Sequence, residues 1–115
     1  MDTVVHRGIA MLIVHLIEWF FGGAFFANSV PHIVNGISGR PFQSPFAKPP
    51  GQGLSSSTVN VLWGFLNLVF AYVLLIWLGQ FNIHFWLHVV TAGAGALLLS
   101  VMMARHFGRF HSGLL

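Results

Sequence analysis

The stretch VHLIEWFF, Val14 to Phe21, sets a histidine and a glutamate three residues apart inside an apolar run. Glu18 is one of only two acidic residues in the chain. A carboxylate without a partner in hydrocarbon is costly, so Glu18 marks a place where something is held or passed. His84 and His88 stand at i and i+4 in a later apolar run, which puts both on one face of a helix. Imidazole and carboxylate together suit a transition metal (Zn, Fe, Cu or Ni) rather than Ca or Mg. His84 and His88 would form a two-point clip, with His15 and Glu18 as two further ligands. Alternatively, His15 and His88 face each other as the axial ligands of a haem. The same groups could also relay protons in a channel or transporter. Structurally, Glu18 could simply hydrogen-bond to Asn67, a tryptophan N–H or a histidine, and His84 could be an ordinary interfacial histidine.

The elements that position these groups follow from composition. The chain has 115 residues, 56% of them hydrophobic and 6% charged, against about 25% charged in an ordinary soluble domain. So few charges would not keep a globule of this size in solution. The expected fold is an all-α integral membrane protein with three transmembrane helices, a single transmembrane domain over residues 1–115. The helices are expected at about 8–34, 59–78 and 83–104, with Pro31 near the end of the first. GQFN, Gly79 to Asn82, makes a tight hairpin of the second and third. The first span reads as retained rather than as a cleaved signal: Asp2 offsets Arg7, Glu18 interrupts the apolar core, and no A-x-A follows. The absence of cysteine excludes disulfides and thiolate ligands. A net charge of +3 spread over the span ends offers no nucleic-acid face. No nucleophile–base–orienter set is visible, which places an enzyme last.

Helical spacing gathers the polar groups on one stripe per helix: His15, Glu18, Gly22, Phe25, Ser29 and His32 on the first, and Asn60, Gly64, Asn67 and Ala71 on the second. The third stripe is His84, His88, Thr91, Gly95, Leu98 and Met102. At ~1.5 Å per residue, His15 and His88 reach similar depth in the outer half, with Asn67 and Thr91 near the level of Glu18 and closing the cluster below. An inner set of Asn28, Ser29, His32 and Asn35 faces Asn60. His6, His106 and His111 read as surface residues.

The segment 35–58, NGISGRPFQSPFAKPPGQGLSSST, is too rich in Gly, Pro and Ser for helix or sheet. Phe42 and Phe46 beside Arg40 and Lys48 suggest an interfacial loop at headgroup level. The serines before Thr58 supply caps for the second helix. His32, Arg40, Lys48 and Ser56 form a candidate anion or lipid-headgroup site at the start of that helix. A plain capped helix under an ordinary loop explains the same residues. For packing, Gly23, Gly93 and Gly95 lie in small-residue runs that permit close backbone approach. Three helices enclose little volume, so a homo-oligomer or a seat within a larger membrane complex is expected, with an accessory or lipid-binding role as a further alternative.

FFANSVPHIVNGISGRPFQSPFAKPPGQGLSS and VNVLWG, within residues 25–64, resemble a pattern in a family of small bacterial inner-membrane proteins. The resemblance implies an inner-membrane location and carries no assigned activity. The chain also resembles trimeric three-span copper transporters in its small-xxx-small third helix and expected outward N-terminus. Those proteins place MxxxM on the second span, where this chain has no methionine.

With three spans, the loop and the C-terminal tail share one side, which holds Arg40, Lys48, Arg105 and Arg109. The positive-inside rule puts that side in the cytoplasm and the N-terminus outside. A reporter fused after Leu115 should therefore read out as cytoplasmic; a periplasmic signal would overturn this orientation.

Overall fold

Asp2 starts the first helix earlier than the apolar pattern suggests. In the computed structural model of the chain, which describes residues 2–111, its carboxylate accepts from the Val5 N–H at 2.9 Å. That cap satisfies one of the free donors of a helix N-terminus. Helix α1 then runs over Thr3–Ile37, 35 residues, and carries Pro31 inside it. The expected limits of 8 and 34 fall short at both ends. Proline removes one helical hydrogen bond, but apolar surroundings offer the backbone no other partner, so the helix continues through it. Asn35 supports this stretch by donating to Pro31 O at 2.8 Å.

The second helix, α2, covers Ser57–Tyr72 and widens into π-helical turns over Val73–Leu78. Ser56 caps it, its Oγ accepting from the Val59 N–H at 3.2 Å. Gln80, with φ at 47°, turns the chain out of the helix. Helix α3 covers Trp86–Gly108, so the connection is longer than GQFN and His84 precedes the helix. Asn82 accounts for the late start. Its Oδ1 accepts from the His84 N–H and its N–H donates to His88 Nδ1, both at 2.9 Å. This local side-chain bonding competes with an earlier helical turn. All three helices are long and apolar enough to cross a membrane. Their exposed Leu, Ile, Val and Phe side chains fit an integral membrane protein.

The loop is more ordered than its composition suggests. Strands β1 (Phe42–Gln43) and β2 (Leu54–Ser55) form a short antiparallel pair. Phe42, Gln43 and Ser44 are buried, whereas Phe46 is exposed. Phe42 is thus a core residue beneath the loop and not a headgroup contact. Gly51 N–H donates to Ser44 O at 2.8 Å and Gly53 N–H to Pro49 O at 2.9 Å. The tail docks on the same end: His106 Nε2 meets Gly51 O at 2.7 Å and His111 Nε2 meets Gln43 Oε1 at 2.8 Å. Loop and tail therefore share one end of a molecule 54 Å long.

Helix α1 packs against both other helices. Its buried residues Glu18, Gly22, Ser29, His32 and Gly36 follow a helical stripe, answered on α2 by Asn60, Gly64, Asn67 and Ala71. On α3 only Gly95 of the expected lower stripe is buried; Leu98 and Met102 are exposed. A Cβ on Gly95 would overlap the Phe20 carbonyl, and one on Gly23 the Ala92 carbonyl. These two glycines bring the α1 and α3 backbones together within one chain. Gly93 has open space around it and plays no part in this contact. Gly95→Ala should cost about 1–3 kcal/mol by overpacking, read as a lower thermal midpoint in detergent, and Gly93→Ala should not. Equal midpoints for the two variants would refute the contact.

Candidate functional site

The α1–α3 register sets the polar group in the N-terminal half of α1. Parallel packing of Gly23 against Ala92 places Trp19 beside His88. The indole stacks on His88 with ring centroids 3.8 Å apart and on His15 at 5.6 Å. Its Nε1–H donates to Gly79 O at 2.8 Å, which fixes the ring against the α2–α3 connection. Trp19 is 3% exposed. Helical spacing of the polar residues does not select Trp19, and the sequence signal for it is its place one residue after Glu18.

His15 Nδ1 lies 3.2 Å from Glu18 Oε1. That approach falls within ion-pair range yet misses hydrogen-bond geometry. His15 Nδ1 and Glu18 Oε2 are both buried with no hydrogen-bond partner. The Glu18 side chain is 10% exposed and that of His15 28%. An unpaired buried carboxylate oxygen is expensive, and most native structures avoid one.

The other expected members sit elsewhere. His88 Nδ1 already accepts from the Asn82 N–H. An indole, not a porphyrin-sized gap, lies against both His15 and His88. His84 is exposed and lies in the turn before α3, so it makes no helical i, i+4 clip with His88. Among the described residues no three of His, Cys, Asp or Glu converge as metal ligands. Asn67 does not close the cluster below: its Oδ1 accepts from Asn28 Nδ2 at 2.9 Å and its Nδ2 donates to Trp63 O at 2.8 Å. Asn28 lies ten residues, ~15 Å, along α1 from Glu18. The longer first helix explains the shift, since it places Gly79 rather than Asn67 opposite the Glu18 turn. Thr91 Oγ1 donates to Leu87 O of its own helix at 2.7 Å.

The proposed anion set is also dispersed. Arg40 is exposed and its Nε donates to Asn35 Oδ1 at 3.1 Å. Lys48 is exposed, and Ser56 is occupied as a cap. His32, 2% exposed, points inward to Asn60 instead. Asn60 is fully buried at 0%. Its Nδ2 donates to Phe42 O, Ser55 O and Ser56 O at 3.1, 3.2 and 3.0 Å, and its Oδ1 lies 2.7 Å from His32 Nδ1.

Beside this hub opens a cavity of about 370 Å³, lined by Asn28, His32, Gln43, Ser44, Trp63 and His106. Pro45, Pro50, Gly51 and Phe107 complete its wall. Of the expected inner set facing Asn60, only His32 bonds to it; Asn28 bonds Asn67 and lines the cavity, while Ser29 and Asn35 bond Phe26 O and Pro31 O of their own helix. The loop and tail add Gln43, Ser44 and His106 to the cavity wall, residues that no helical period could connect to it. His111 lies at the surface as expected and His106 is half-buried, and both tie the tail to the loop.

The chain matches no protein-family model, and comparisons with curated proteins and with solved structures returned no match.

Asn60→Leu would leave the His32 N–H and up to three carbonyls short of a partner. It should cost more than about 1–3 kcal/mol, the penalty of one such buried group. Ser56→Ala should cost about 1 kcal/mol, as the loss of one cap. Thermal unfolding in detergent checks the ranking; an Asn60→Leu variant as stable as the native chain would show that the hub does not organise this end.

Proposed function

We propose that this chain is a small integral membrane protein whose activity runs through the His15–Glu18 pair, acting as an intramembrane proton-exchanging couple within a channel or transporter-like unit. One observation carries the proposal: two buried atoms of complementary chemistry, His15 Nδ1 and Glu18 Oε2, stand without partners beside a 3.2 Å His–Glu approach. A proton needs only such a pair, while a metal ion needs a fuller ligand set. Polar groups left unpaired in hydrocarbon are retained where function uses them. His15 is the less enclosed member of the pair, its side chain 28% exposed against 10% for Glu18. Trp19, stacked on His15 and anchored to Gly79 O, holds the imidazole in place.

A transition metal or haem is the second reading. His15 and Glu18 at i, i+3 offer free nitrogen and oxygen donors. His88, or a second copy of the chain in a homo-oligomer, would complete the ligand set. Metal analysis and a visible spectrum of purified protein distinguish this reading. In orientation, the basic loop end faces the cytoplasm of a bacterial inner membrane, following the positive-inside rule.

In liposomes with an imposed pH gradient, the native chain should dissipate the gradient faster than empty vesicles do. Glu18→Gln keeps size and hydrogen bonding but removes the carboxyl group, and should abolish the effect while the protein still inserts. His15→Ala should show the same defect. If Glu18→Gln performs as the native chain and only Glu18→Leu fails to assemble, the carboxylate is a strut and the proposal falls.

A further inference from the structure

The loop-end cavity stands apart from the His15–Glu18 couple, and its hydrogen-bonding character can be worked out atom by atom. Asn67 Nδ2 is committed to Trp63 O, so Asn67 Oδ1 is the atom that accepts from Asn28 Nδ2. The Asn28 carbonyl oxygen is left over. Asn60 Nδ2 faces three carbonyls, so Asn60 Oδ1 faces His32 and His32 Nδ1 must donate. In neutral His32 the lone pair is then on Nε2. Gly51 O can only accept, so His106 Nε2 donates and Nδ1 carries the lone pair of the neutral ring. None of these three acceptors has a hydrogen-bond partner among the described residues. All three belong to side chains on the wall of one cavity. His32 itself is 2% exposed.

The wall narrows the ligand class. It contains no Asp, Glu, Lys or Arg, so a charged ligand would go uncompensated. No three-residue metal site exists among the described residues, which favours an organic ligand. These three acceptors call for a ligand bearing O–H or N–H groups, and the buried, unpartnered Nε1–H of Trp63 on the same wall calls for an oxygen that accepts; a hydroxyl serves both. Trp63, Phe107, Pro45 and Pro50 supply rigid apolar faces suited to a flat ring. The volume of about 370 Å³ is at the small end of ligand pockets, which start near ~300 Å³. Phe107 also borders a neighbouring cavity of about 320 Å³ between α1 and α3, lined mainly by Ala27, Val30, Pro31, Met103 and Ala104. That apolar space can take the tail of an amphiphile whose head sits among the histidines.

We propose that the loop-end cavity binds a neutral, hydroxyl-bearing aromatic amphiphile of the quinol class, whose O–H groups donate to His32 Nε2 and His106 Nδ1. Binding is the whole of the proposal, and no electron transfer is part of it. The test titrates the full chain in lipid nanodiscs with a decyl-substituted benzoquinol under anaerobic conditions, with calorimetry as readout. The same quinol as its dimethyl ether keeps shape and tail but has no donor. It should bind about tenfold more weakly, the loss expected from two neutral hydrogen bonds. His106→Phe keeps a ring and removes one lone pair, and should weaken the quinol but not the ether. A diacylglycerol, with a hydroxyl but no ring, should not compete. Absence of saturable quinol binding, equal binding of quinol and ether, or full competition by diacylglycerol would each overturn the proposal. The ether arm uses the native chain, so its outcome is independent of any folding defect in the variant.

Discussion

A polar group inside an apolar helix bundle must find its partner in the same chain, and Asn60 is where this structure meets that constraint most completely. Fully buried, it ties α2 to His32 of α1 and to Phe42 O, Ser55 O and Ser56 O of the loop. One amide thereby joins two helices and both strands of the loop. With Ser56 it fixes where α2 begins, and by its orientation it fixes which nitrogen of His32 carries the proton. Tail docking through His106 and His111 relies on the loop that Asn60 holds. Paired polar groups of this kind specify a unique arrangement because a half-satisfied alternative is costly.

The other end of the bundle shows the opposite condition. There Trp19 is satisfied by Gly79 O, while the adjacent His15 Nδ1 and Glu18 Oε2 are not paired. Local departures from polar satisfaction are expected at functional sites, where the cost is offset by good packing elsewhere. Gly23 and Gly95 provide that packing directly alongside, by letting α1 and α3 approach backbone to backbone. The rigid contact and the unsatisfied pair are neighbours on α1, so the pair is held in place by helices with little freedom to collapse around it.

Much of this was legible in residue spacing. The stripes of α1 and α2 follow the 3.6-residue period because lipid leaves polar residues only one direction to face, and burial reproduces them from Glu18 to His32 and from Asn60 to Ala71. The Ser56 cap and the shared end of loop and tail follow from local chemistry and span parity. Helix limits were not legible, because an aspartate cap at one end and a tolerated proline at the other extend α1. Because α1 is longer than its partner, depth counted from helix ends misaligns the two, and Asn67 meets Asn28 while Gly79 meets Trp19. His84 left the expected clip because Asn82 Oδ1 accepts its N–H in the turn before α3, while Asn82 N–H donates to His88 Nδ1. The loop contributions to the cavity, Gln43 and Ser44, depend on long-range pairing that no local pattern encodes.

Glu18 is the only glutamate in the chain, so carbon-13 labelling of glutamate marks a single carboxyl for infrared difference spectroscopy. If His15 and Glu18 exchange a proton, a pH step on the protein in lipid should make the labelled carboxylic acid band exchange with a carboxylate band. Removal of the His15 imidazole should displace that transition. A labelled carboxyl that keeps one protonation state across the pH range at which the protein remains folded, with or without His15, would contradict the account.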